Sequence, residues 1–249
     1  MRNRLYTKAG LHRFLSSLVT SAEDFVTAYI TPASFPAYAE SLTLGRKYDT
    51  RVAEIREAVK TEAVVDGARK YGTGAAIFWG GLGKQIVLPS FPIAQNEVSE
   101  GKCDTSVLHE VMDGKYLIGV VMVTWGWYAL GLFDGSNLVE CKIGTGYIHK
   151  KHKKGGRSQK RFARRTEEQK KDFLRRVGNR IDERFGSYLP DHIFFGGNRL
   201  ILKPLTQESR YLQTRTDKIS PRILNVRYAN REALVGSLAE INKSLVFTF

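Results

Sequence analysis

Between His149 and Arg165 the chain sets nine basic side chains, and no acidic one, around a glycine pair and a single glutamine. The cations are Lys150, Lys151, Lys153, Lys154, Arg157, Lys160, Arg161, Arg164 and Arg165. A run of this sign grips a polyanionic backbone, and RNA is the target it fits best. Gly155 and Gly156 carry no Cβ, so the main chain can approach such a target closely. Gln159 follows them with a neutral amide that both donates and accepts hydrogen bonds. A solvated charge run, a localisation signal or a heparin-type patch would also be basic, but none of these requires the paired glycines or the glutamine. The nearest titratable proton carriers are His149 and His152, for which phosphate contact or solvent exposure is the simpler use.

The elements that would position this segment read as follows. A meander precedes it: strands over 116–124, 128–133 and 138–143, with turns at Gly126 and at Asp134-Gly135-Ser136-Asn137, closed by Gly144-Thr145-Gly146. A long helix follows, with Phe162, Phe173, Leu174, Val177, Ile181 and Phe185 expected on one stripe. Its start falls at Thr166 if Thr166 and Gln169 form a capping box, or near Ser158. The earlier start is preferred, because it brings Gln159 to the positive end of the helix. A buried strand over 192–195, a tight turn at Gly196-Gly197, a helix over 198–207, a strand over 222–228 and a helix over 230–244 complete this half.

The first half reads as a helix over 8–19, a strand over 25–30, a loop marked by Pro32 and Pro36, and a long helix over 50–71. A hairpin then joins 75–79 to 85–88 across Gly80-Gly81-Leu82-Gly83. Residues 89–113 show little periodicity, so a domain boundary is placed there. The expected division is an α+β domain over 1–110 and a second domain over 111–249, the first being the smaller. The fold class is α/β (α+β), a mixed β-sheet flanked by helices.

The 249 residues are 42% hydrophobic and 11% aromatic, and carry a formal net charge of +14. Such a composition excludes a disordered chain and points to an acidic partner. No apolar run reaches the roughly 18 residues that span a bilayer, and the N-terminus lacks a signal-peptide core. Cys103 and Cys141 have neither metal-ligand spacing nor a disulfide framework, so no metal and no cofactor are implied and a reducing cytoplasm is expected. Trp125, Trp127 and Tyr128 form an aromatic cluster for which packing under the sheet is a better reading than base stacking.

Meander, basic segment and helix together resemble the middle, catalytic domain of the eukaryotic and archaeal class I peptide-chain release factors, an RNase H-like fold. There a β-meander leads through a basic segment to a Gly-Gly-Gln loop and a helix reading Ser-Ala-x-Arg-Phe-Ala-Arg. The counterparts here are Lys150-Lys151-His152, Gly155-Gly156 and Arg161-Phe162-Ala163-Arg164. Arg157 and Ser158 separate the glycines from Gln159, a spacing similar to the Vms/Ankzf-type release-factor-like proteins, whose loop reads Gly-Gly-Ser-Gln or a close variant. The match covers about residues 113–249. The first half is weakly similar to the release-factor N-terminal domain, chiefly over 74–92, and has no Asn-Ile-Lys-Ser or Tyr-x-Cys decoding motif. No GTPase-recruiting third domain is expected after Phe249.

The resemblance implies a peptidyl-tRNA hydrolase of ribosome-associated quality control. It would free nascent chains from stalled ribosomes or large subunits, as a cytoplasmic monomer whose partners are the ribosome, peptidyl-tRNA and rRNA. Gln159 would place the water and stabilise the oxyanion, and Gly155 and Gly156 would permit its approach. Two other activities stay open: a nuclease cutting the tRNA acceptor end, and a non-catalytic binder of stalled ribosomes of the Pelota type.

Overall fold

A computed structural model describes residues 1–19, 24–81, 83–148 and 157–249, with the backbone alone for 157–160. The chain divides into two compact units, Met1–Gly114 with Ala239–Phe249, and Lys115–Leu238. No helix among the described residues is long and apolar enough to cross a membrane.

In the first unit β1 (Arg2–Tyr6), α1 (Lys8–Val19), β2 (Phe25–Ile30), α2 (Ala37–Glu40), α3 (Asp49–Val59) and α4 (Glu62–Tyr71) come first. They are followed by β3 (Ala75–Trp79), β4 (Lys84–Leu88), β5 (Glu97–Gly101) and α5 (Ser106–Asp113). The long helix expected over 50–71 is two helices. Thr61 takes an extended conformation (φ −61°, ψ 136°) and restarts the chain as α4. The break lets Ile55 and Val59 of α3 and Val64 and Tyr71 of α4 all reach one core. That core covers one face of the sheet through Val26, Ala28 and Ile30 of β2, while Phe25 and Tyr29 face α1 and α5. This is the period-2 alternation of a strand buried on both sides.

The second unit opens with the antiparallel meander β6 (Leu117–Thr124), β7 (Trp127–Asp134) and β8 (Asn137–Thr145). After α6 (Arg157–Tyr188) come β9 (His192–Gly197), α7 (Arg199–Glu208), α8 (Arg210–Thr214), β10 (Ile219–Leu224) and α9 (Arg231–Ile241). The sheet order is β10-β9-β6-β7-β8, with β9 parallel to both of its neighbours. It is therefore a mixed sheet with helices packed on it, as the sequence leads one to expect. The strand expected over 222–228 instead ends at Leu224, where its pairing with Gly196 ends.

The last residues depart furthest from expectation. The helix stops at Ile241, and β11 (Ser244–Thr248) inserts between β1 and β4, antiparallel to both. The expected second domain ran to Phe249, but Ala239–Phe249 belongs to the first unit, so the two units are nearly equal in length. Val246 faces the α1 side of the sheet and Phe247 the α4 side. A strand buried on both faces in this way gives no amphipathic signal to separate it from the helix before it.

Candidate functional site

The candidate site lies where β8 hands the chain to α6. The departing end of β8 is held from the side. Gly146 N–H donates to the Gly126 carbonyl at 2.8 Å, and Gly126 (φ +89°) forms the turn between β6 and β7. A Cβ on Gly146 would fall 2.5 Å from Phe173 Cδ2 and 2.8 Å from Arg176 Nη2, so only glycine lets the chain pass this close to α6.

On the other side α6 begins at Arg157, which puts Gln159 in its first turn and resolves the start of the helix in favour of the earlier choice. Arg157–Arg165, the second half of the basic segment, is therefore helical, as the earlier start requires. The anchor of α6 is a stripe of Phe173, Leu174, Val177, Ile181 and Phe185, all buried against β6, β7 and β9. Phe162, expected on that stripe, is 42% exposed, and none of residues 161–172 is buried. The helix runs fourteen residues from Gln159 to Phe173, about 21 Å at 1.5 Å per residue. Its N-terminal part is thus an arm standing off the core. Ion pairs along the helix stand in for burial there: Arg164 with Glu168 at 3.0 Å, Lys170 with Glu167 at 2.7 Å and Arg175 with Asp172 at 2.8 Å.

The expected site residues fall into three groups. Lys150, Lys151, Lys153, Lys154, Gly155 and Gly156, with His149 and His152, lie outside the described residues. Arg157, Gln159 and Lys160 are described through their helical backbone alone. Arg161, Arg164 and Arg165 are exposed on the arm. Being among the first four residues of a helix, Gln159 has an N–H with no acceptor one turn back, and the helix end carries partial positive charge. Such a group suits a developing anion.

The aromatic cluster divides. Tyr128 is buried with its ring 6.2 Å from that of Phe173, Trp125 lies under the Lys170 ammonium at 5.1 Å, and Trp127 is exposed. Gly80 N–H donates to the Gly83 carbonyl at 2.7 Å, as a hairpin turn requires. Gly197 (φ +100°) packs its α-carbon against the Val123 carbonyl, a tight strand-to-helix turn.

Two features carry no signal in the sequence. Tyr128, Thr145, Arg176, Asn179, Arg180 and Glu183 line a hollow of about 420 Å³ between β8 and α6. Their common location emerges only when α6 lies along the sheet edge. In the first unit His12, His109 and Asp113 come together, with ligand atoms within 4.8 Å of one another. His12 Nδ1 and His109 Nδ1 share a hydrogen bond of 2.8 Å, and Lys8 Nζ lies 2.9 Å from Asp113 Oδ1. That ammonium already meets the carboxylate charge a cation would need. Burial, then the neighbouring His12, holds the His109 imidazole below its usual pKa. Both cysteines are free thiols; burial pushes Cys103 up to about 11 and raises Cys141, so neither is poised as a nucleophile.

The chain is similar to several known proteins. The peptide chain release factor subunit 1 of Aeropyrum pernix is 26% identical over 143 residues, covering 56% of this chain and 38% of its own length. Its counterpart in Methanosphaera stadtmanae is 33% identical over 78 residues, 31% of this chain and 19% of its own. The chain thus spans well under half the length of these relatives. Among solved structures, an archaeal translation termination factor, aRF1, aligns over 95% of this chain and 73% of its own at 19% identity, with a TM-score of 0.39. Archaeoglobus fulgidus Pelota aligns over 96% and 61% at 6% identity, with a TM-score of 0.32. The family model for the Actinobacteria/chloroflexi VLRF1 release factor, acVLRF1, matches residues 116–246, more than half of the chain and all of the meander, arm and sheet described above. The chain belongs to this release-factor family.

Proposed function

We propose that this protein is a peptidyl-tRNA hydrolase that frees nascent chains from stalled ribosomes or large subunits in the cytoplasm, with Gln159 as the catalytic residue. The observation that carries the reading is the placement of Gln159 in the first turn of α6, at the tip of an uncovered basic arm. Hydrolysis of the ester joining peptide to tRNA needs a water aimed at the carbonyl carbon and donors for the oxyanion that forms. The Gln159 N–H is one such donor, and its amide side chain can orient the water. As the tetrahedral intermediate collapses, the bond to the terminal ribose oxygen breaks and that oxygen takes a proton. No carboxylate or thiol occurs between His149 and Arg165, so the reading assigns no side-chain base to this segment. Gly155 and Gly156 would let the backbone reach the ester. Lys150, Lys151, Lys153, Lys154, Arg157, Lys160, Arg161, Arg164 and Arg165 would hold tRNA and rRNA phosphates.

The test uses stalled peptidyl-tRNA–ribosome complexes and the full chain. Wild type should release peptide and leave full-length tRNA. Gln159→Ala keeps the backbone N–H but removes the amide that orients the water, and should lower the release rate about a hundredfold, the order of loss when a reacting group is misplaced, with ribosome binding retained. Equal release by both proteins removes the Gln159 side chain from the chemistry. A shortened tRNA product would instead assign the site to phosphodiester cleavage.

A further inference from the structure

We propose that the hollow between β8 and α6 holds one strand of single-stranded RNA, with a phosphate on Arg176 and an adjacent base on Tyr147. Two adjoining hollows share Arg176. One of about 420 Å³ adds Tyr128, Thr145, Asn179, Arg180 and Glu183, and one of about 380 Å³ adds Tyr147, Gln169, Asp172 and Arg175.

The arginines along this face are not equivalent. Arg175 is paired with Asp172 at 2.8 Å, Arg180 with Glu183 at 2.6 Å and Arg184 with Glu140 at 2.7 Å. Arg176 has no acidic partner within ion-pair distance among the described residues. Its guanidinium points into the shared hollow beside Gly146, where any side chain would collide with it. The two carboxylates of the cleft, Glu183 and Asp172, are taken up by Arg180 and Arg175, which leaves the planar Arg176 cation to suit a phosphate oxygen pair. Asn179 and Thr145 supply neutral polar groups on the same wall.

Tyr147 is 73% exposed at the far end of the cleft, one residue from the end of the described β8 side. An exposed ring next to a phosphate-binding arginine is the pairing that single strands use, because an unpaired base offers its face for stacking. The charge distribution favours a nucleic acid over an acidic protein segment. The first unit has 14 basic and 14 acidic residues, whereas Lys115–Leu238 has 25 basic and 11 acidic. Without the 149–165 segment the second unit still has 16 against 11.

This inference rests on the release-factor reading only for the choice of RNA, and not on the role of Gln159. The test is fluorescence anisotropy of a labelled 12-nucleotide single-stranded RNA with the full chain, over a salt series. Arg176→Ala should weaken binding about tenfold and flatten the plot of log affinity against log salt by about 0.7, the change expected when one fewer phosphate is neutralised on a single strand. Arg199→Ala, which removes one exposed charge on α7, should leave the slope unchanged. Tyr147→Ala should weaken binding about tenfold, because the base no longer stacks, and Tyr147→Phe should restore it. Gln159→Ala should bind RNA like wild type, which separates failure of the cleft from failure of the hydrolysis. The proposal is overturned if Arg176→Ala and Arg199→Ala behave alike. It is equally overturned if duplex RNA shows the same Tyr147 dependence, or if polyglutamate competes as well as RNA at equal charge.

Discussion

His192 shows how much a single side chain's position decides. It begins β9, packed edge-on to the Tyr116 ring at 5.0 Å between centroids. Burial holds its imidazole below the usual value of 6.5, with Asp191 opposing and Lys218 adding to the shift. The unfolded chain takes up this proton near 6.5, while the native chain resists it. The stability His192 allows is therefore complete above that pH and declines as pH falls through and below it. Urea-unfolding midpoints measured from pH 7.5 to 5 should drop on the acid side, and His192→Gln should flatten that limb. A limb that keeps its full slope in the variant would assign the effect elsewhere, His109 being shifted in the same direction. The sequence places His192 at the start of a buried strand, but the Tyr116 ring and the flanking Asp191 and Lys218 charges come together only in the fold.

At the scale of elements, α6 does two jobs along one axis. From Phe173 onward it is a core helix, and before Phe173 it is an exposed arm with intrahelical ion pairs. Stability should therefore respond very differently at Phe162 and at Phe173. Phe173→Ala removes a ring that is 1% exposed and packed near Tyr128 and Trp125, and should cost about 3–5 kcal/mol. Phe162→Ala should stay within about 1 kcal/mol, since surface positions contribute little. Chemical denaturation of both variants measures this, and comparable losses would mean that the arm is packed. The meander, the helix and the glycine pair at Gly196-Gly197 can be read from periodicity and turn residues, because each is specified locally. The stripe expected from Phe162 onward starts only at Phe173, because helical spacing shows which residues share a face and not how far the sheet beneath extends.

For the whole molecule, the return of the chain is the main surprise. β11 lies between β1 and β4, and Phe249 N–H donates to the Lys84 carbonyl at 3.0 Å, so the C-terminus completes the N-terminal sheet. Deleting Ser244–Phe249 should expose both neighbouring strands. Amide exchange should then show lost protection across β1 and β4, with β6 and β7 far less affected. Unchanged protection in β4 would contradict the pairing. β1 is illegible in the sequence for a related reason: four of its five residues are exposed, and beyond its backbone pairing it packs through Tyr6 at its end, which leaves no alternating hydrophobic pattern.

The amino-acid sequence by itself determined the chemistry on offer. It specified the cations, the glycine pair, the glutamine and the mixed α/β character, all of which depend on residue type and short spacing. Tertiary structure alone decided that the first turns of α6 stand off the core, and that Arg176 lies in a cleft with Tyr147. It alone also decided that the last strand serves the first unit. These depend on contacts between residues far apart in the chain, whose energy comes from burial and pairing across the fold rather than from any local preference.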